Sequence, residues 1–555
     1  MRMRQRWSTA APRLALTTLA ATLLAAFAGP TLAQVTSANR DVFLPNTGAW
    51  SAAGVTLGGT SFVNLGLQGV GRVAANSIDP VTGESLGSVS DMQISNFANN
   101  GNGSWSGSFN FLPDRGYNSG AIFSNYAARI NNFDFTFTPY TGAAAITAQT
   151  QIAMSFTGST RFTYDHDNNP LTAPVYTTGL LATGSTGLFG TTVPVTAGNT
   201  TQGSSTVNNR LTLDAEGLIL DNRAGRGGSG WVGDEYGGYI YRFDANKQIV
   251  GQLQLPQALV PHSPVGTVNF NASPEVNGRR INQGMEGIAQ SPDGTKLFGL
   301  MQSATIQDSG SGNQGRSNTR LLVYDLAGSD TPNAPAKQYV IQLPRVDDNG
   351  GTPAVNRTAA QSSIVALNDH QLLILSRDGN GRGATGSPVF KSILLADLSN
   401  ATALTGLDAE GAAVAPGGVL GASVTPIQWT EALNLLGKLG TGQAIELAKF
   451  GLNINTAPGD SNSISEKWEA LGLVPTNDGT GQYFLFVGND NDFLTRSGKY
   501  LDAAGVLQSY DAGLENDTMI LAYRVAAVPE PETYALLVAG LALVGAVARR
   551  RRQVT

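Results

Sequence analysis

A chain of 555 residues with a formal charge of −6, three histidines and no cysteine leaves few chemistries open. Disulfides, thiolate catalysis, zinc ribbons and iron–sulfur clusters are excluded, and a histidine-rich metal centre is disfavoured. The acidic balance argues against nucleic acid as a partner and for cations, so any chemistry must rest on carboxylates, arginine, amides and hydroxyls.

The N-terminus reads as a leader. Arg2, Arg4, Arg6 and Arg13 precede an apolar run from Leu14 to Phe27, which ends in "PTLAQ" with small residues at Thr31 and Ala33. This is a secretory signal over residues 1–33, cut after Ala33 and too short for a membrane span. From Gln34 to about Arg210 the chain is rich in Gly, Ser, Thr and Asn. Segments such as "FDFTFTPY" and "TQIAMSFTGSTRFTY" alternate with the period of half-buried strands. "GESLG", Gly83 to Gly87, matches the G-x-S-x-G nucleophile elbow, but a loop precedes it and no helical pattern follows, so a turn is expected. "LPDRGYN" sets Asp114 and Arg115 at the end of an apolar stretch, as a buried ion pair or as part of a site.

From Leu211 onward a unit repeats four times. Its copies begin at "LDAEGLIL", "GMEGIAQSPDG", "SSIVALNDHQ" and "KWEALGLVPTNDG". Each has a short apolar strand, often opened by an acid with Gly or Ala. A turn follows, then a stronger apolar strand ending in polar residues, then a third strand such as "LLVYDL". One small sheet cannot bury both faces alone, so copies must stack, and radial stacking gives a β-propeller. Four copies plus a divergent first half predict six or seven blades; a pair of β-sandwiches is the rival. "TPIQWTEALNLLGKLGTGQAIELAKFGLNI" has helical spacing at Trp429, Leu433, Leu436, Ile445 and Leu447. It predicts a small helical insertion between blades.

The acids fall at equivalent places in the copies. Glu216, Glu286 and Glu469 open one strand. Asp234-Glu235, Arg377-Asp378 and Asn489-Asp490-Asn491-Asp492 close the next, with Gln302 at that place in the second copy. Radial blades would bring these positions to one mouth of a central channel. Such a ring of hard oxygens suits calcium rather than zinc or copper. The expected ligands are Glu216, Asp234, Glu286, Glu469, Asn489, Asp490 and Asp492, with Glu235, Arg377, Asp114 and Arg115 as the catalytic set. Bound ions would relieve the Asp234–Glu235 repulsion and attract an anionic ester.

The C-terminus closes with "VPEPETYALLVAGLALVGAVARRRRQ". Pro529-Glu530-Pro531 precede an apolar run from Tyr534 to Ala548, and Arg549 to Arg552 follow. This order of parts resembles the PEP-CTERM sorting signal of Gram-negative bacteria. The resemblance implies transient holding at the inner membrane over residues 528–555, exosortase-type processing, and release to the cell surface or exopolysaccharide matrix. Without the four leader arginines and the tail's net two positive charges, the remaining chain carries about −12.

The stretches "SVSDMQ", "LPDRGYN", "DAEGL", "WVGDEYGGYIYRFD", "MEGIAQSPDG", "EALGLVP" and "VGNDNDF", from about Ser88 to Asp492, carry a second resemblance. The chain resembles the phytase-like propeller family described by "esterase-like activity of phytase". That resemblance implies a propeller over residues 34–527 and calcium-assisted hydrolysis of phosphoesters. Carried over by position, it marks Asp114, Arg115, Glu216, Asp234, Glu235, Glu286, Glu469, Asn489, Asp490 and Asp492. "ILSRDGNG" departs from the pattern, with Ser376 where an acid often precedes the arginine. The expected protein is a monomeric, exported hydrolase of small anionic esters. Its alternative is a non-catalytic matrix propeller that binds polysaccharide or protein and uses calcium for rigidity.

Overall fold

The computed structural model describes residues 54–529, except 121, 168, 170–171, 203–204, 272–274, 349–354, 438–442 and 455–459. The leader and the tail beyond Pro529 lie outside the described residues. Among the described residues, no helix is long and apolar enough to cross a membrane.

The expected all-β propeller is present, with five blades rather than six or seven. Blade 1 is Asp91–Asn99, Trp105–Leu112, Arg129–Phe137 and Ile152–Arg161. Blade 2 is Ala215–Leu220, Gly230–Asp234, Ile240–Phe243 and Gln248–Leu253. Blade 3 is Met285–Gln290, Lys296–Met301, Asn318–Asp325 and Lys337–Gln342. Blade 4 is Ala360–Ala366, Gln371–Arg377, Lys391–Asp397 and Gln428–Asn434. Blade 5 is Lys467–Pro475, Tyr483–Asp490 and Thr518–Pro529, completed by Thr60–Val73 and Val55–Leu57 from the other end of the chain. The five first strands pack side by side in a closed cycle, in chain order around one axis.

The count falls short because the first half of the chain does not spend its strands on whole blades. Thr60–Val73 runs antiparallel to Thr518–Pro529 and closes blade 5. Thr163–Tyr164 and Val175–Tyr176 extend the outer edge of blade 2. Gly184–Leu188, Thr191–Gln202 and Ser205–Leu211 form a separate three-stranded sheet. Only blade 1 is left.

The insertion is also half of what its spacing predicts. Gln443–Lys449 is a helix, but Gln428–Asn434 is the outer strand of blade 4. A bulge at Ala432 lies between Trp429 and Leu433. Trp429 therefore packs in the core between blades 3 and 4, and Leu433 packs towards blade 5. Four-residue spacing across a bulge imitates a helical stripe.

The blades bury strands on both faces, so inner strands such as Gln371–Arg377 are shut from solvent throughout. Aromatic packing closes the seam between blades 1 and 5, where Phe109 stacks on Phe135 at 3.9 Å and meets Phe486 edge-on at 5.4 Å. The "SPDG" turn behaves as its residues dictate. Gly294 takes φ 74°, and Asp293 accepts the Thr295 amide at 3.0 Å. "GESLG" is a structural turn. Glu84 pairs with the buried Arg129 at 2.5 Å, and Ser85 accepts the Lys499 amide at 3.0 Å. Of the three histidines, His262 is buried against Asn277.

The channel is plugged. Asp91, from the first strand of blade 1, accepts the Met92 amide at 2.9 Å, the Leu218 amide of blade 2 at 2.8 Å and the Ser363 hydroxyl of blade 4 at 3.0 Å. Blades 1 and 4 are not neighbours, so the last bond crosses the axis. Beyond it, Ile94, Ile219 and Leu471 line a second opening together with Gln93, Asn222 and Gln290. Asp91→Ala would leave three buried donors without an acceptor, and unpaired buried groups cost about 1–3 kcal/mol each. Denaturant unfolding of this variant is expected to show a loss of at least about 3 kcal/mol; a loss below about 1 kcal/mol would contradict the bracing role.

Candidate functional site

At the opposite end of the axis, the ladder between the first and second strands is interrupted at the same place in four blades. Ala215 pairs with Asp234 and Gly217 with Gly233, leaving Glu216 as an extra residue. Glu286, Ser362 and Glu469 are skipped in the same way in blades 3, 4 and 5. A bulged residue is freed from the pleat and re-aimed, and here the result is a shared cavity. Glu216, Glu235, Glu286, Gln302, Arg377 and Glu469 are among its walls, and its volume is about 330 Å³. Two glycines beside these bulges are needed for the blades to close. A Cβ on Gly217, after the bulge of blade 2, would sit 2.7 Å from the Glu286 carbonyl oxygen, and one on Gly284, before the bulge of blade 3, would sit 2.5 Å from that of Glu235.

The expected site residues divide into three groups. The first converges on the axis: carboxylate oxygens of Asp214, Glu216 and Glu235 all lie within 4.8 Å of one another. Glu286 and Glu469 share the cavity with them. The second stands beside it: oxygens of Asp114, Asp490 and Asp492 form another such group. Lys467 reaches Asp492 at 2.5 Å and Asp490 at 4.0 Å.

The third group is occupied elsewhere. Asp234 does not line the cavity; its carboxylate accepts the amides of Asp214, Tyr236 and Gly237 at 3.0, 3.1 and 2.7 Å. Asn489 spends its side chain on backbone, accepting from Met519 and donating to the carbonyls of Asp490 and Asp517. The Asp234–Glu235 pair avoids repulsion by pointing apart: one acid folds a turn and the other faces the axis.

The arginines expected to act catalytically are anchored. Arg115 pairs with Asp214 at 2.6 Å. Arg377 pairs with Glu469 and donates to the Ser362 hydroxyl at 3.2 Å and the Asp378 carbonyl at 3.3 Å. Asp378 is itself held by Lys391 at 2.9 Å.

Asp214 and Lys467 escaped the sequence reading. Both stand two residues before the bulged acid, where blades 3 and 4 have Gly284 and Ala360. Aligning the copies on the acid would have exposed this position.

Eight carboxyl groups (Asp114, Asp214, Glu216, Glu235, Glu286, Glu469, Asp490 and Asp492) thus meet three interleaved cations, Arg115, Arg377 and Lys467. Burial and the neighbouring negative charges hold Glu216, Glu286 and Asp490 well above the carboxylate range. Burial foremost, then the Asp214 charge, lifts Glu235 to about 7 and Asp114 to about 8. Asp492 goes the other way, lowered by Lys467 against the pull of burial. Three buried oxygens, Asp214 Oδ1, Glu235 Oε1 and Glu286 Oε2, have no hydrogen-bond partner among the described residues. A cluster of this kind fits a hard cation, which would supply the missing partners and charge.

An acid with a raised native value binds more protons folded than unfolded, so its contribution to stability is full below its unfolded value and is lost as pH rises through the folded one. For protein stripped of divalent cations, the unfolding temperature is therefore expected to fall between about pH 4 and about pH 8, spanned by Glu235, Asp114 and Asp91. Thermal melts at fixed ionic strength check this, and a profile rising across that window would contradict it.

Comparisons with known proteins identify the family and the tail. The family model described as "Esterase-like activity of phytase" matches residues 94–493, and the PEP-CTERM protein-sorting motif matches residues 527–552. An Arthroderma benhamiae protein named as an uncharacterized secreted protein is 31% identical over 467 residues, 78% of this chain and 88% of the relative. Among solved structures, the PQQ-bound aldose sugar dehydrogenase of Streptomyces coelicolor is 11% identical. It overlays with a TM-score of 0.25, covering 84% of this chain and 98% of that one. The periplasmic gluconolactonase of Pseudomonas aeruginosa is also 11% identical, with a TM-score of 0.23 and coverage of 83% and 99%. Such distant likenesses say nothing of activity. The sorting motif makes this an exported protein addressed to exosortase-type machinery. With the family model matching most of its length, the chain belongs to the phytase-like family described as "Esterase-like activity of phytase".

Proposed function

We propose that the protein is a calcium-dependent hydrolase of small anionic esters, phosphoesters foremost, acting at the ring of acids on the propeller axis. The observation that carries this reading is the set of three buried, unpartnered carboxylate oxygens on Asp214, Glu235 and Glu286. Groups of this kind are costly unless something binds them. Asp214, Glu216 and Glu235 would hold the ion, with Asp114, Asp490 and Asp492 as a second candidate group. Calcium bound there supplies positive charge to hold and polarise an anionic ester.

The remaining roles belong to the chain. Glu286 lines the cavity with one free oxygen and a proton affinity raised well above the carboxylate range, which suits a proton donor to the leaving group. Arg115 and Arg377 position Asp214 and Glu469 through ion pairs. The plug at Asp91 separates the cavity from the opening beyond it, so substrate enters and product leaves by the mouth that carries the acids.

The second reading is a non-catalytic propeller of the exopolysaccharide matrix, with calcium serving rigidity. It is favoured by the pairs Arg377–Glu469 and Lys467–Asp492, which neutralise part of the ring without any ion. Assays on p-nitrophenyl phosphate, phytate and p-nitrophenyl acetate, with calcium and with chelator, separate the two. Glu235→Gln is expected to stay folded and to lose about 10²- to 10⁴-fold in turnover. No turnover by the wild type on any of these esters, alongside calcium-raised thermal stability, would establish the second reading.

Because the ring acids hold protons near neutrality, calcium must displace them. Its affinity is expected to rise between about pH 6 and about pH 8. Calorimetry in buffers of different ionisation enthalpy should register the released protons; a pH-independent affinity would contradict this ligand set.

A further inference from the structure

We propose that Arg316 and Arg357 form an oxyanion subsite in the wall of the axial cavity, and that this subsite selects esters bearing an anionic group over neutral ones. The inference rests on the hydrolytic reading and names what sets its substrate preference. Both residues line the same cavity as Glu216, Glu235 and Glu286. They come from two loops tied together. Arg316 ends the short turn Asn313–Gly315 between the second and third strands of blade 3. Arg357 lies in the hairpin of Arg345–Val346 with Arg357–Thr358, which leads into blade 4. The Thr358 hydroxyl donates to the Gln314 carbonyl at 3.2 Å and joins the loops.

Half-buried Arg316 is unlike the arginines nearest the ring, since Arg115 and Arg377 each reach a carboxylate. The Arg316 guanidinium has no ionic or hydrogen-bonding partner among the described residues, and its Nε is closed off from solvent. Burial, and then the charge of Arg357, pull it below the usual arginine value. Two like charges within electrostatic reach, one half-buried and unpaired, oppose folding unless an anion joins them. Arg357 is held by Asp348 at 2.7 Å through Nε, and its side chain is 41% exposed.

The chemistry of the pair specifies its ligand. A guanidinium presents a planar fork of N–H donors that matches the oxygens of a phosphoryl, sulfuryl or carboxyl group. The acids of the ring cannot bind such a group themselves; the arginine wall can. A neutral ester offers this wall a weaker acceptor and no charge to offset that of Arg316.

The test titrates the intact calcium-loaded protein with inorganic sulfate, which is a dianion throughout the working range, and compares p-nitrophenyl phosphate with p-nitrophenyl acetate. Wild type is expected to bind sulfate. Arg316→Gln should weaken that binding about tenfold or more and raise KM for the phosphate ester to match, with the acetate ester unchanged. Arg316→Lys, which keeps the charge but loses the fork, should fall between them. Should Arg316→Gln not fold, Arg357→Gln provides the same readings. Glu235→Gln should bind sulfate at least as well as wild type while losing turnover. Sulfate binding by the wild type without hydrolysis of any of these esters would sink the hydrolytic reading and leave the subsite standing. Sulfate affinity unchanged by Arg316→Gln and Arg357→Gln, or no binding by wild type at millimolar sulfate, would overturn the subsite.

Discussion

One extra residue on the innermost strand, inserted at the same rung in four of five blades, is the constraint on which this site depends. Glu216, Glu286, Ser362 and Glu469 are excluded from their ladders, and three of the four are acids. A residue in the ladder would point between blades, where its neighbours are apolar. The bulge turns it towards the axis instead. The same displacement brings like charges together in a poorly solvated space, where each repels the others strongly. Everything else at the mouth answers that repulsion: arginines that pair with two of the acids, a lysine between two more, and raised proton affinity on those left over.

Blade 4 shows how the pattern accommodates change. Its bulged residue is Ser362, and Arg377 on the adjoining strand donates to it and reaches across to Glu469 of blade 5. An arginine and a hydroxyl thus stand where the other blades put a carboxylate. The ring is consequently lopsided. Free carboxylate oxygens gather on the side of blades 2 and 3, and the cationic wall comes from a loop within blade 3 and the hairpin that leads into blade 4. A cavity with negative and positive sides orients a polar ligand before any bond is made or broken.

Much of this could be read from the chain, because recurrence is a signal that survives without coordinates. Glu216, Glu286 and Glu469 recur with a following Gly or Ala, and they do converge. Asp234 and Asn489 carry the same residue types at equally repeated positions, yet their side chains serve the backbone. Nothing in composition separates an acid that folds a turn from one that faces a cavity; only the direction of the side chain does. Asp214 and Lys467 were hidden for the opposite reason, since their position changes from acid to glycine to alanine to lysine between copies. The blade count failed on long-range pairing. That Thr60–Val73 belongs with Thr518–Pro529 is a contact across more than four hundred residues, and no local pattern announces it.

The seam between those two strands has a mechanical consequence. Pro529 ends the last strand of blade 5 opposite Thr60, and the sorting motif begins at residue 527. Tension applied through the segment after Pro529 would load this rung first and peel the seam one pair at a time rather than shearing it whole. A β-ladder yields most easily in that zipper geometry, so the junction that fastens the five-bladed ring is also the place where a pull from the tail would begin to undo it.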